Sequence, residues 1–290
     1  MMRHVPVLRK EMLALLAPRD AGVYIDGTFG GGGYAKAILE SANCKVIAID
    51  RDPYVKIIAD EFKANYKERF DFFHAKYGDI KSVIESKFDG LVLDLGVSSF
   101  QLSDPSRGFS FNLSGPLNMG MGLCEETAQD IIRKYSERDL ADIIYAFGEE
   151  RFSRRIAKNI KLNLNKISNT QDLANIIRSC IKKTGKTDPA TKTFQALRIF
   201  VNDELEELKK VLQDSVHLLN ANGKLIVVSF HSLEDRIVKF FFKELTLKKD
   251  RFKLLTKKPI APTPEEISYN RKSRSAKLRG ITVFDEFPAL

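Results

Sequence analysis

The stretch that most constrains this 290-residue chain is Asp26-Gly27-Thr28-Phe29-Gly30-Gly31-Gly32-Gly33, because opposite periodicities flank it. Upstream, Val23-Tyr24-Ile25-Asp26 reads as a short buried strand; downstream, residues 34–42 read as a helix. Glycines at such a junction let the backbone turn sharply and approach a ligand with no Cβ in the way. The helix start beyond them offers unpaired N–H groups and a positive dipole end. The alternation then repeats. Lys45–Asp50 is a buried-strand pattern, and Asp52-Pro53 is a helix start in which the carboxylate caps and proline suits the first turn. Val55, Ile58, Ala59, Phe62 and Tyr66 recur at helical spacing, and residues 70–73 and 91–95 are further strands. Strands alternating with helices imply parallel βαβ units in an open, Rossmann-like α/β sheet.

After Asp104 the rhythm changes. Residues 105–122 are rich in Gly, Ser, Asn and Phe and read as a structured loop, followed by helical stretches at 125–135, 137–147, 149–163 and 170–183. Leu140, Ile143, Ile144 and Phe147 mark one apolar stripe; Leu173, Ile176, Ile177 and Ile181 mark another. With no strand pattern among them, an all-helical subdomain over 105–188 is expected, inserted into a sheet domain built from 1–104 and 189–290. Near Thr191 the α/β rhythm returns. Leu205, Leu208, Leu212 and Leu219 line an amphipathic helix, Asn222-Gly223 signals a turn, residues 225–230 read as a fifth strand and 233–245 as a helix. Residues 278–284 alternate like a final edge strand.

Asp50 closes the second strand 23 residues after Gly27. A carboxylate there can accept from both hydroxyls of a ribose, so an adenosine-containing cofactor is expected. Gly30 to Ala35 also fits G-x-G-x-x-A, which keeps a nicotinamide dinucleotide open. Asp26 tilts the balance, since an acid ending the first strand suits the cationic amino-acid part of S-adenosyl-L-methionine and repels a pyrophosphate. Asp94 ends a buried apolar strand at the carboxyl edge, where open sheets hold ligands, and a carboxylate there is costly unless it faces the cleft. The Asn/Asp-Pro-Pro-aromatic motif of many amino-group methyltransferases is absent, which leaves the acceptor open. After the fifth strand, His231 is placed to shuttle a proton near neutral pH, while Ser232 reads as a helix cap with Asp235 near the capping-box position.

The net charge of +9 is localised: residues 239–282 hold 13 Lys/Arg against 4 Asp/Glu, and the remainder balances. Such an excess points to a polyanionic partner. Three scattered cysteines and four scattered histidines form no disulfide framework or ligand pattern, so no metal is expected. The apolar run Met12 to Ala17 is too short for a membrane span and lacks a cleavage site, so a soluble, cytoplasmic protein with no membrane partner is expected. Oligomeric state leaves no signal.

Seven segments, taken together, resemble the RsmH (MraW) family, the bacterial 16S rRNA cytosine-N4 methyltransferases. They are His4-Val5-Pro6-Val7-Leu8, Asp26 to Gly30, Ala48-Ile49-Asp50-Arg51-Asp52, Leu93 to Ser99, Arg107-Gly108-Phe109-Ser110-Phe111, Ala190 to Ala196, and Ser229 to Arg236. With Arg274-Ser275-Ala276-Lys277-Leu278-Arg279, the likeness covers nearly the whole chain. It implies a class I methyltransferase sheet whose inserted helical subdomain recognises substrate, and S-adenosyl-L-methionine contacts at Gly32, Gly33, Tyr34, Asp50, Tyr77, Asp94 and Gln101. It also implies, as substrate, a cytidine in the decoding region of 16S rRNA within the small (30S) subunit. Asp94 and His231 are the candidate catalytic groups. Arg107, Phe109 and Asn118 are candidates at the substrate, with Phe109 or Phe111 placed to stack on a base turned out of the RNA. Lys192, Arg198, Arg271, Arg274, Lys277 and Arg279 are candidates for phosphates. Tyr34 stands where relatives commonly have histidine, and Tyr77 where they have phenylalanine, so both keep a ring. The loop Gly115-Pro116-Leu117-Asn118-Met119-Gly120-Met121 departs from Gly-Pro-Leu-Asp-Met-Arg-Met and loses one carboxylate and one guanidinium. Two rivals follow: a nicotinamide oxidoreductase, and a ribosome-binding factor with impaired catalysis.

Overall fold

The computed structural model describes residues 6–181, 187–248 and 251–284; His4 and Val5 of the first motif, residues 182 and 183 of the expected fourth helix, and Lys249 and Asp250 of the basic stretch lie outside them. Seven strands form one sheet: β1 (Val23–Asp26), β2 (Lys45–Asp50), β3 (Phe70–His74), β4 (Phe88–Asp94), β5 (Leu219–Ser229), β6 (Phe252–Leu254) and β7 (Lys277–Val283). Their order is β3-β2-β1-β4-β5-β7-β6. Strands β1 to β5 run parallel, and β7 lies antiparallel between β5 and β6. The strand order reverses between β1 and β4, and open sheets hold ligands beyond the carboxyl ends of the strands at such a switch point.

Alternate residues of the central strands face two separate apolar layers. Tyr24, Val46, Val92 and Val228 pack with Met12, Phe29 and Ile38 on one face; Ile25, Leu91, Leu93 and Val227 pack with Ile80, Leu208, Leu212 and Phe242 on the other. Cover on both faces is why these strands read as continuous apolar runs rather than alternating ones. The first layer includes the helix Arg9–Leu16, which shows in sequence only as a short apolar run.

The final strand is not the edge. β7 pairs with both β5 and β6, and the edge falls to β6, whose three residues are too few to carry a periodicity. Nor does Asn222-Gly223 end an element. β5 runs through it, and the β4 register steps from Phe88↔Leu219 to Gly90↔Lys224, so the turn signal is absorbed as a bulge with Asn222 at φ 60.

Two compact units emerge: Met1–Gly96 with Leu205–Leu290, and Val97–Glu204. The boundaries expected at 104/105 and 188/189 therefore move outwards. Val97 and Leu102 pack against the helical core, and Phe194, Leu197 and Val201 of helix Thr191–Asn202 are buried in it beside Leu140, Ile144 and Leu173. That helix had been counted with the sheet; its apolar face belongs to the other core. No strand occurs among the described residues of this second unit; helices Ala128–Lys134, Ser153–Leu162 and Thr170–Cys180 lie within the expected stretches, and Glu137–Gly148 runs one residue beyond its own. Capping boxes Thr127/Asp130 and Asn169/Asp172 fix two of the starts, each side-chain cap contributing about 1 kcal/mol. Among the described residues no helix is long and apolar enough to cross a membrane.

Candidate functional site

At the carboxyl end of β1, Asp26 is fully buried. Its Oδ1 accepts from the Thr28 N–H at 3.3 Å and its Oδ2 from the Ala35 N–H at 3.0 Å, which ties the strand to the first turn of helix Gly33–Ser41. Asp50, ending β2, accepts from Gly30 N–H at 2.7 Å and Asp52 N–H at 2.9 Å. The aspartate expected to hold a ribose thus also fixes the glycine turn. Two carboxylate oxygens carry about four lone-pair sites, so acceptor capacity remains. Burial, with Asp50 adding its charge, pushes Asp26 up to about 7; burial, with a smaller push from Asp52, raises Asp50 to about 6.

The glycines divide by cause. A Cβ on Gly27 would lie 2.5 Å from Leu93 Cδ2, one on Gly32 would enter the Phe62 ring, and one on Gly33 would enter Pro6. Those three are small because the protein packs against itself there. Gly30 has φ 48 and open space, with Thr28 O the nearest atom at 3.9 Å. Gly30 therefore leaves a face for a ligand, and Gly31 beside it is exposed. Gly32 and Gly33, singled out by the resemblance, offer backbone rather than space.

Across the switch point, the Asp94 N–H donates to Thr28 Oγ1 at 2.6 Å, which joins the end of β4 to the turn after β1. Asp94 Oδ1 is buried with no hydrogen-bond partner among the described residues. Burial, then the like charges of Asp26, Glu234 and Glu266, raises its carboxyl well above the ordinary range. Neither glutamate was singled out from sequence. Glu234 Oε2 accepts from the N–H groups of Phe230 at 2.8 Å and His231 at 3.3 Å. Glu266 Oε1 accepts from Leu8 N–H at 2.9 Å. His231 Nδ1 accepts in turn from Glu234 N–H at 3.4 Å, and its Nε2 lies 3.2 Å from Glu234 Oε1. At the start of helix Ser232–Lys248, His231 and Glu234 thus cap reciprocally, while the Asp235 carboxylate turns to Lys277 and Arg279. Ser229 donates to the Lys277 carbonyl across the β5/β7 ladder.

Tyr34 is buried, and its hydroxyl donates to the Val7 carbonyl, so its ring is part of the wall formed with Pro6 to Leu8. Tyr77 opens the turn Tyr77–Asp79 with its Cβ beside Gly27. Gln101 lies in the helical unit, where its Oε1 accepts from Ser98 N–H at 2.9 Å in a capping box.

The candidate cations divide in the same way as the glycines. Arg107 is buried and donates to the Gly120 carbonyl at 3.0 Å; Lys192 donates to the Glu149 carbonyl at 2.9 Å; Arg198 makes a two-pronged pair with Glu204 at 2.8 Å per contact. Lys277 and Arg279 both bind Asp235, at 3.0 and 2.7 Å. Arg271 and Arg274 instead line a cavity of about 850 Å³ with Ser268, Lys272 and Ser275. Phe109 is buried in the core of the helical unit, whereas Phe111 is half-buried against that core, meeting Phe194 edge-to-face at 5.0 Å. Asn118 is exposed, and its Oδ1 accepts from Gly120 N–H at 2.8 Å, so the departing loop closes as a tight turn.

An open sheet of this order, with β7 antiparallel and acids rather than a phosphate cradle ending β1, β2 and β4, defines a Rossmann-like methyltransferase. The chain belongs to the MraW methylase family, whose profile it matches over residues 1–283. It is 51% identical over 296 residues to the ribosomal RNA small subunit methyltransferase H of Rickettsia bellii (strain RML369-C), covering 95% of this chain and 97% of that one. It is 49% identical to the protein of the same name from Anaplasma phagocytophilum (strain HZ), covering 96% and 98%. Among solved structures, an rRNA methylase from Streptococcus thermophilus superposes with a TM-score of 0.47 at 9% identity, covering 98% of this chain and 100% of that one.

Proposed function

We propose that the protein transfers a methyl group from S-adenosyl-L-methionine to N4 of a cytidine in the decoding region of 16S rRNA in the small ribosomal subunit. The observation that carries this reading is the partnerless, buried Asp94 Oδ1, pressed by Asp26, Glu234 and Glu266, all of its own sign. Buried like charges fit a cation and repel a pyrophosphate, which favours the sulfonium and ammonium of S-adenosyl-L-methionine over a nicotinamide dinucleotide. Asp50 and the open face of Gly30 fit its ribose. The relatives named above support the small-subunit rRNA as substrate.

S-adenosyl-L-methionine supplies an activated methyl group on a positively charged sulfur. The cytosine N4 lone pair is delocalised into the ring, so the protein's main contribution is alignment, a term of up to roughly 7–11 kcal/mol in well-oriented reactions. The cofactor's positive charge, once beside it, would hold Asp94 as the carboxylate, so that Oδ1 can accept a hydrogen bond from the N4 amino group and take its proton as the methyl group passes from sulfur to nitrogen. His231 and Glu234 hold the turn after β5; Tyr34 and the Pro6 to Leu8 segment exclude water on the other side. The test incubates the protein with methyl-labelled S-adenosyl-L-methionine and small subunits lacking the modification, then digests the RNA to nucleosides. N4-methylcytidine is expected. Label in another nucleoside, or none, defeats the reading.

A further inference from the structure

We propose that the cavity beneath the turn Arg271–Ser275 holds backbone phosphates of single-stranded RNA next to the target nucleotide, with Arg271 and Arg274 as the anion-binding groups; the inference rests on the RNA reading above. Five other candidate cations of the chain are bound to the protein itself. Arg271 and Arg274 are exposed and make no hydrogen bond or ion pair among the described residues. They lie three residues apart in a 3-10 turn, where side chains at i and i+3 eclipse, so both guanidinium groups leave the same side. Ser273 between them is fully buried, its hydroxyl donating to Asn270 O at 2.7 Å and its carbonyl accepting from Ala276 N–H at 2.7 Å, which locks the turn. The cavity adds Lys272 and two hydroxyl-bearing residues, and no carboxylate lines it.

Placement supplies the second argument. The turn runs into β7, whose Lys277 and Leu278 pair with Ser229 and Val228 of β5, and Val228 pairs with Asp94 of β4. Neighbouring strands lie about 4.8 Å apart, so β7 starts roughly 10 Å from Asp94, at the reactive edge of the sheet. The basic run is thereby split in two. Lys277 and Arg279 are spent on Asp235 inside the fold, while Arg271 and Arg274 face outwards. Guanidinium groups free to fork onto phosphate oxygens position RNA without reading its bases.

The experiment measures binding of unmethylated small subunits between 50 and 200 mM KCl, with single-stranded RNA and duplex DNA as competitors. Arg271→Ala with Arg274→Ala is expected to weaken binding about tenfold at 100 mM and to flatten the log–log salt slope by about 1.4, the value for two single-strand contacts. Lys192→Ala is expected to leave the slope alone. Single-stranded RNA is expected to displace the subunits better than duplex DNA. Calorimetric affinity for S-adenosyl-L-methionine stays at the wild-type value, which shows the double variant is folded. Should it not fold, Arg271→Lys with Arg274→Lys is measured instead, with the slope kept and the affinity lowered as expected outcomes. An unchanged slope in the Ala pair, an equal loss in Lys192→Ala, a slope lost in the Lys pair, or equal displacement by duplex DNA overturns the proposal. The activity reading fails separately, through absence of N4-methylcytidine from wild-type protein.

Discussion

In the helical unit Arg107, Lys192 and Arg198 are each committed, to a carbonyl, a helix end and a buried carboxylate. In the turn before β7, Arg271 and Arg274 have no partner among the described residues. On paper all five are basic residues in a basic protein. The difference teaches that a cation becomes available to a ligand only when no acceptor of its own chain lies within reach. The acids show the converse: Asp71 is paired by Lys45 and Lys63 and held below its ordinary range, whereas Asp94 meets only its own sign and is driven far above.

The sharpest way to break this contrast is to remove the unpaired acid. Asp94→Asn keeps shape and loses charge; methyl incorporation into small subunits should fall by about 100-fold or more, the usual weight of a positioned acceptor. Next comes the committed cation. Arg198→Ala strands Glu204, only 7% exposed at its side chain, and should cost about 3 kcal/mol in denaturant unfolding, while Arg274→Ala should leave unfolding unchanged. A third test uses pH. Asp26 and Asp50 titrate at about 7 and about 6 in the fold against an ordinary 3.8, so the folded state holds protons more tightly than the unfolded chain. Their contribution is complete below about pH 4 and lost as pH rises through 6 to 7. The protein alone should therefore be less stable at pH 8 than at pH 5.5, by about 3 kcal/mol, and saturating S-adenosyl-L-methionine should narrow the gap. Melting curves at the two pH values, with and without cofactor, check it; greater stability at pH 8 would sink the idea. The smallest effect belongs to Lys192→Ala, which frees one helix-end carbonyl and should lower the melting temperature by about 2 °C or less.

Much of the sheet was legible because fully buried parallel strands announce themselves as apolar runs, and Asp26, Asp50 and Asp94 stood out as acids ending such runs. Glu234 and Glu266 were not legible. Both sit in polar helix starts, and Glu266 finds its partner Leu8 at a separation of 258 residues. His231 stands out in sequence because a histidine after a strand invites chemistry, but its pairing with Glu234 three residues on carries no such signal. The edge strand β6 is too short to show a pattern, and helix Thr191–Asn202 carries an apolar face that sequence could not assign to one core or the other. The glycine quartet misled in detail: two of its members make room for Phe62 and Pro6.

The pairing of β4 with β5 has a kinetic consequence. These strands lie side by side, yet the whole of Val97–Glu204 separates their halves of the sheet in the chain. Closing so long a connection is entropically slow when it is a loose coil, and slow registry leaves strand edges open to the wrong neighbour. The helical unit, by contrast, has its own core and no strand to bring into register among its described residues, so it can gather first. Once gathered it is no longer a loose tether of about a hundred residues but a compact bead, and the two halves of the sheet can find each other sooner.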